Sequence, residues 1–429
     1  MVLAKENSNT LEDRILGFCF AFFAFLRLGP FFTWSTYRSG IFISLYIAVF
    51  LMILFLFVVF NIRKGRRLVV SQIDFKYAIV ALVISIILIG ICGLKIENLF
   101  SGEWITYGIF LLFIVVPDSC KVKSYENYKI IFAITLIPAI VYYFLNIAGI
   151  NGIVPWGILS SSESIKVNHG SYYIHYPFAV QLITSSSNVL ESFRLCGIYD
   201  EAGRLGTMAG LFLVAESFKI KDSFYNIIIL IAGILSFSVA FYLIVIIYFI
   251  ISNFIKGKPK NAIVLTIIMV LYFAFMNIQF SNYTLLTLQS RFEITSEGLV
   301  GDNRTNSKFQ TLYSEYLNDG GFRILFGFGS GAIQSIQQQR NVDGSSYKCY
   351  LYNYGIIGFG STIVWTIFYV LRKLKIRFRE IVIEKTLVYI YVVTLLGIFV
   401  LNLYQRPTVF HMSYMVIVIG GSMSLSRRG

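Results

Sequence analysis

The sequence predicts an all-α polytopic membrane protein, with about twelve transmembrane helices and two large outward-facing loops. Three observations carry that prediction. Of 429 residues, 57% are apolar and only 14% charged, where a typical soluble domain is roughly a quarter charged. Mean hydropathy is +0.72, and apolar runs able to cross ~30 Å of hydrocarbon recur along almost the whole chain. The basic residues, finally, gather between alternate runs, as the positive-inside rule requires.

The first run covers residues 15–32. It follows a short polar segment containing Lys5 and Arg14, and with no small-residue cleavage site after it, it reads as an uncleaved anchor. Runs 41–60, 75–94, 104–116 and 130–148 complete a group of five helices within residues 1–149. A first large loop spans 150–203. The next group, 204–278, opens with run 205–218. The long run 224–255 would measure ~48 Å as one helix, well beyond the bilayer core, so it divides at Ser236, Phe237 and Ser238. Run 262–278 closes this group and a second large loop spans 279–348. Runs 349–371, 387–403 and 409–423 fill the last part, 349–429, with a short cytoplasmic tail.

With both termini in the cytoplasm, Arg63, Lys64, Arg66 and Arg67, the lysines at 121, 123 and 129, and the cluster from Arg372 to Lys385 all lie inside. Fusing run 224–255 into one helix would put that last cluster outside, which decides for the split. The net charge of +14 is therefore mostly a topology signal. Nucleic-acid binding would need the charge on one water-facing surface and is excluded. Five cysteines without a CxxC pair offer neither a zinc site nor a disulfide framework, although Cys196 and Cys349 share the outer side. No internal repeat is visible.

Long loops within a compact protein are usually functional, and both long loops face outward here. In the second, Phe309, Leu312, Tyr313, Tyr316 and Leu317 fall at helical spacing, so an amphipathic helix is expected over 304–318. Asp319, Gly320 and Gly321 would end it. Gly327, Gly329 and Gly331 follow, ahead of a further helix through Gln339. Such a glycine series can present backbone N–H groups to an anion, or serve as a tight turn returning the chain to the membrane. The first loop closes on Arg194, Asp200, Glu201 and Arg204. Arginines and carboxylates at the mouth of a bundle are costly unless paired or used. The arginines could snorkel to head groups and the acids cap the next helix. His169, His175 and His411 lack the spacing or carboxylate partners of a metal site. The spans are almost free of charge, Arg27 being the main exception.

Three segments resemble the Wzy-type O-antigen and capsular polysaccharide polymerases, relatives of the O-antigen ligases. Arg194, Gly197 and Glu201 match R-x-x-G-x-x-x-E at the start of a middle span. Leu235, Ser236, Phe237 and Ser238 match L-(T/S)-x-S between two close spans. The stretch from Arg304 through Gly329, followed by Asn353-Tyr354-Gly355-Ile356-Ile357-Gly358, resembles the outer loop and N-(F/Y)-G-I-I-G. The chain departs from the pattern at Val239, usually Arg, and at Ala202, commonly Pro. Tyr347 and Lys348 stand where the ligases carry a histidine.

The resemblance implies a GT-C-like membrane glycosyltransferase of the bacterial inner membrane, without cofactor or metal. It would transfer a growing glycan from undecaprenyl diphosphate to the terminal sugar of another lipid-linked unit, with a chain-length regulator protein as a further partner. Arg194 and Arg304 would steady the diphosphate, since the guanidinium fork suits phosphate oxygens. Arg323 and the backbones of Gly327 and Gly329 are second choices for that role. Glu201 would be the general base, with Asp200 the alternative carboxylate in the substrate site. An O-antigen ligase, and a flippase of lipid-linked sugars, are the competing readings.

Overall fold

The computed structural model describes residues 11–34, 41–63, 71–92, 103–148, 157–160, 172–176, 179–183, 194–256, 259–279, 281, 286, 289–290, 293–295, 298–299, 307–333, 335–336, 342, 346–376, 387–403 and 410–428. They are mostly helical. Each predicted apolar run forms a helix: α1 (Leu11–Arg27), α2 (Ile41–Arg63), α3 (Gln72–Ile86, continued by a π-helical turn Ile87–Ile91), α4 (Glu103–Val115) and α5 (Asp118–Ile147). After the first loop come α6 (Ala202–Ala215), α7 (Phe224–Leu235), α8 (Val239–Lys256) and α9 (Pro259–Asn277). The second loop carries α10 (Ser307–Asp319) and α11 (Gly321–Phe326). The chain ends with α12 (Tyr347–Lys373), α13 (Leu387–Asn402), α14 (Met412–Met415), a π-helical stretch Val416–Gly421 and α15 (Ser422–Arg428).

Among the described residues, three helical stretches are long and apolar enough to cross a membrane: Gln72–Ile91, Asp118–Asn146 and Tyr347–Lys373. Six shorter apolar helices accompany them. Leu51, Phe55, Val58 and Ile62 on α2, and Ile263, Ile267 and Val270 on α9, are exposed. Apolar side chains so arrayed need lipid rather than water as their neighbour, and the whole fits a helical membrane protein. The long run does turn at Ser236–Ser238, where Phe237 takes φ 45°.

The all-α expectation needs one correction. The first loop folds into an antiparallel sheet, β1 (Gly157–Ser160), β2 (Tyr172–Tyr176) and β3 (Ala179–Ile183), paired in that order. Aromatic and β-branched residues favour strands, and β2 alternates in the manner of a half-buried strand, with Tyr173 and His175 buried. The sheet is tied to the end of the loop by Val180 N–H donating to Gly197 O at 2.8 Å. A short hairpin, β4 (Ile294–Thr295) with β5 (Gly298–Leu299), lies in the second loop.

One end of the bundle is closed by buried ion pairs. Asp74 of α3 accepts from Lys373 of α12 at 2.6 Å and lies 3.3 Å from the fully buried Lys121 of α5. The Tyr369 hydroxyl donates to the same carboxylate at 2.8 Å. Beside it, Glu216 receives Arg428 at 2.6 and 3.1 Å, Lys129 at 3.0 Å and the Tyr125 hydroxyl at 2.7 Å. These contacts knit α3, α5, α12, the end of α6 and α15 into one layer.

At the other end, α12 is broken. Gly355 has φ 65° and ψ −175°, a region essentially restricted to glycine. A helix end leaves four carbonyls without intrahelical donors, here those of Leu351, Tyr352, Asn353 and Tyr354. Each finds a donor elsewhere: the Tyr316 hydroxyl of α10 at 3.0 Å, the N–H groups of Phe328 at 2.9 Å and Gly329 at 2.7 Å, and the Cys92 thiol at 3.5 Å. The second loop is thereby docked on α12, with Phe309, Leu312 and Tyr316 buried against Cys349 and Tyr352.

A Cβ at Gly355 would sit 2.2 Å from Leu325 O, whereas Gly360 has open space around it. Gly355→Ala should therefore cost more than the ~1–3 kcal/mol of backbone strain alone and lower the unfolding temperature in detergent by several degrees. Gly360→Ala, inside a regular helix, should leave that temperature unchanged or raise it slightly.

Candidate functional site

The residues singled out at the end of the first loop sit where the helices α6, α7 and α1 meet. Arg194 donates from Nε to Ser236 O at 3.2 Å, and Leu195 N–H donates to Leu235 O at 2.9 Å. The segment 194–201 is thus tied to the 235–238 turn. A helix C-terminus carries partial negative charge, so a guanidinium there both caps α7 and is held in place by it.

Glu201 is the residue immediately before α6, with extended backbone (φ −145°, ψ 136°) and no side-chain capping bond. Its carbonyl receives Arg204 N–H at 3.1 Å, so the main chain starts the helix. The Glu201 side chain is half-buried beside Asp200, which is buried.

Asp200 and Arg204 form an i,i+4 ion pair at 3.1 Å. Arg204 also donates to Leu28 O at 3.0 Å, at the exit of α1. Phe31 N–H donates to Ile198 O at 2.8 Å in the same strip, and Tyr173 of the sheet donates to Asp200 O at 2.7 Å. Arg204 therefore does not snorkel to a headgroup; it fastens α6 to α1. His175, its ring tilted against Phe31 with centroids 4.0 Å apart, is held below the ordinary histidine pKa by burial.

The glycine series behaves as a docked turn. The N–H groups of Gly327, Phe328 and Gly329 donate to Arg323 O, Tyr352 O and Asn353 O at 2.7, 2.9 and 2.7 Å, so Gly327 and Gly329 do not offer their amides to an anion. Arg323 is exposed, pairs with Asp319 at 3.2 Å and lies over the Phe328 ring at 4.5 Å. Exposed pairs of this kind contribute little. Arg304 lies outside the described residues, as do the positions beyond 336 in the helix expected through Gln339. The structure brings Arg194, Asp200, Glu201 and Arg204 together at the mouth of α6 and places Arg323 on the separate layer formed by α10 and α11. Cys196 and Cys349 are both free thiols.

A cavity of about 230 Å³ opens at this end of the bundle. It is walled by Arg27 at the end of α1, Tyr107 of α4, Tyr350 and Tyr354 of α12, Ser330 of the docked turn, and His411 just before α14. The Tyr354 hydroxyl donates to Ser330 Oγ at 3.3 Å. His411 Nδ1 lies 2.6 Å from the Ser413 hydroxyl, which fixes the ring and leaves Nε2 as its other polar atom. Phe410, also on the wall, stacks on Phe110 at 4.5 Å. The sequence marks Arg27 as the main charge within the spans, but nothing in its spacing links it to His411, near the other end of the chain. Among the described residues no cluster of three His, Cys, Asp or Glu side chains is placed to hold a metal.

Arg204→Ala removes the cation from a buried carboxylate, a change that costs ~3–5 kcal/mol. Thermal unfolding in detergent should fall accordingly, and Asp200→Asn in the same chain should restore part of the loss. Comparison with protein-family models, curated proteins and solved structures finds nothing that matches the chain.

Proposed function

We propose that this chain is a membrane glycosyltransferase of the bacterial inner membrane, a polymerase that moves a growing glycan from undecaprenyl diphosphate onto the terminal sugar of another lipid-linked repeat unit. The topology belonging to this reading has twelve spans, cytoplasmic termini and the cavity-bearing end outermost. The observation that carries the reading is the hydrogen-bonded union of two motif segments distant in sequence, Arg194–Leu195 with Leu235–Ser236. Both lie at the end of the bundle where the broken helix α12 and the cavity meet.

The chemistry suits that place. A lipid diphosphate is already an activated leaving group, so the reaction needs no nucleotide on the outer side. As the glycosyl bond breaks, charge gathers on the diphosphate and must be met by fixed cations. Arg194 serves this role, held by Ser236 O rather than free to follow solvent, and Arg304 is assigned to it by the motif. Glu201, half-buried at the start of α6, takes the proton from the acceptor hydroxyl as the bond to the sugar forms. Asp200 is engaged by Arg204 and steadies the segment that carries Glu201. The ion-paired opposite end, with Lys121, Lys129, Lys373 and Arg428, belongs to the cytoplasmic side by the same charge rule.

Deletion of the gene tests the reading. The strain should display surface glycans of a single repeat unit, with export and attachment intact. Loss of all surface glycan, with lipid-linked units retained inside, would make the protein a flippase instead. Within the polymerase, Glu201→Gln should lower chain growth by ~100-fold or more, the usual loss on removing a general base, at unchanged protein level.

A further inference from the structure

We infer that α11 seats the second loop in the membrane, with Phe322, Leu325 and Phe326 lying among the acyl chains at the edge of the bilayer while α10 beside it stands in water. The inference rests on the helical membrane fold and is independent of the reaction proposed above.

The two helices of the loop differ in what they leave uncovered. α10 buries Phe309, Leu312 and Tyr316 against α12, and its exposed residues include Gln310, Thr311, Ser314, Glu315 and Asn318. That is the usual division of an amphipathic helix between protein and water. α11 shows the reverse. Its one charged residue is Arg323, and none of its six residues is buried. Phe322 and Leu325 are 46% and 44% exposed, and Phe322 stacks on Phe326 at 4.7 Å. Spacings of three and four place all three side chains on one helical face. The single charge is turned elsewhere. Arg323 pairs with Asp319 at 3.2 Å and covers the Phe328 ring at 4.5 Å, on the side of α10 and the docked turn. Leu317, exposed in the last turn of α10, marks where the polar surface gives way.

The place of α11 says what covers its apolar face. A Cβ at Gly355 would lie 2.2 Å from Leu325 O and 2.4 Å from Phe326 N, so α11 lies level with the break in α12. Before the break α12 carries Tyr347, Tyr350, Tyr352 and Tyr354, and tyrosine is enriched where bilayer meets water. Beyond it, from Ile356 to Val370, the exposed residues are Ile356, Ile357, Val364 and Phe368, all apolar. The last three are spaced by seven and four, which keeps them on one face of the helix. The face of α11 continues this lipid-facing surface at its edge, in the tyrosine zone. Its neighbours are therefore the acyl chains of the adjoining leaflet, reached ~5–10 Å into the headgroup and acyl boundary as interfacial helices do. Gly327 to Gly331 follow α11 directly, so the same contact sets the depth of the docked turn and of Ser330 on the cavity wall.

Spin labels on single introduced cysteines test this, since the five native cysteines are buried. The full chain is placed in lipid nanodiscs, whose two faces are both open to solvent, and collision with oxygen, which partitions into lipid, is compared with collision with a water-soluble nickel chelate. Labels at Phe322→Cys and Leu325→Cys should meet oxygen several-fold more than nickel, as a label at Val364→Cys on the lipid face of α12 does. A label at Ser314→Cys should show the opposite preference. Leu325→Cys alone carries the test should Phe322→Cys, which also loses the Phe326 stack, fail to fold. Nickel contact exceeding oxygen contact at the α11 positions would place the face in water and overturn the inference. Little contact with either reagent would mean that protein, such as a second copy of this chain, covers the face, and would overturn it equally. Because the readout involves no turnover, a deletion strain with full-length glycans would reject the polymerase reading and leave this contact standing.

Discussion

The break at Gly355 imposes a demand that much of the loop-bearing end is built to meet. Away from water an unsatisfied carbonyl costs several kcal/mol, so irregular backbone at membrane depth is tolerated only where protein supplies the missing donors. Four carbonyls of α12 depend on a phenol, two main-chain amides and a thiol from three other segments. Through them the second loop is registered on α12 to within a single residue. Gly327 and Gly355 permit the approach: a Cβ at Gly327 would lie 2.4 Å from Asn353, as one at Gly355 would from Phe326 N. Ser330 reaches the cavity because the turn that bears it is fixed in this way.

The two ends of the bundle answer the problem of charge differently. At the Lys373 end, Asp74 and Glu216 are each met by two cations and a tyrosine hydroxyl. A buried pair of this kind adds little net stability, but removing one partner is expensive, so the arrangement specifies which helices lie side by side. At the Tyr350 end, Arg27 and His411 face a cavity, among hydroxyls.

Much of this was legible in the sequence. The apolar runs, the turn at Ser236–Ser238 and the amphipathic helix ending before Gly320 follow from periodicity and from glycine's access to positive φ, seen at Gly320 and Gly321. The sheet of the first loop was not legible. Its strands are four and five residues long and persist by pairing with one another and with Gly197, which local pattern does not encode. The Gly327–Gly331 series was ambiguous for a related reason: composition says that amides are accessible, not whether Tyr352 and Asn353 carbonyls have claimed them. Arg27 was conspicuous, but its place in one cavity with His411 and Ser330 depends on bringing α1, α12, α14 and the second loop together.

The most direct test of the account is the side of the membrane from which the cavity is reached. All five native cysteines are buried, so a cysteine placed at Ser330 or at the exposed Lys221 can be labelled over a low background. A membrane-impermeant maleimide applied to intact cells should label Ser330→Cys. Lys221→Cys, near the ion-paired end, should react only after the membrane is permeabilised. Labelling of Lys221→Cys in intact cells, with Ser330→Cys reactive only after permeabilisation, would contradict the orientation and with it a reaction at the outer face.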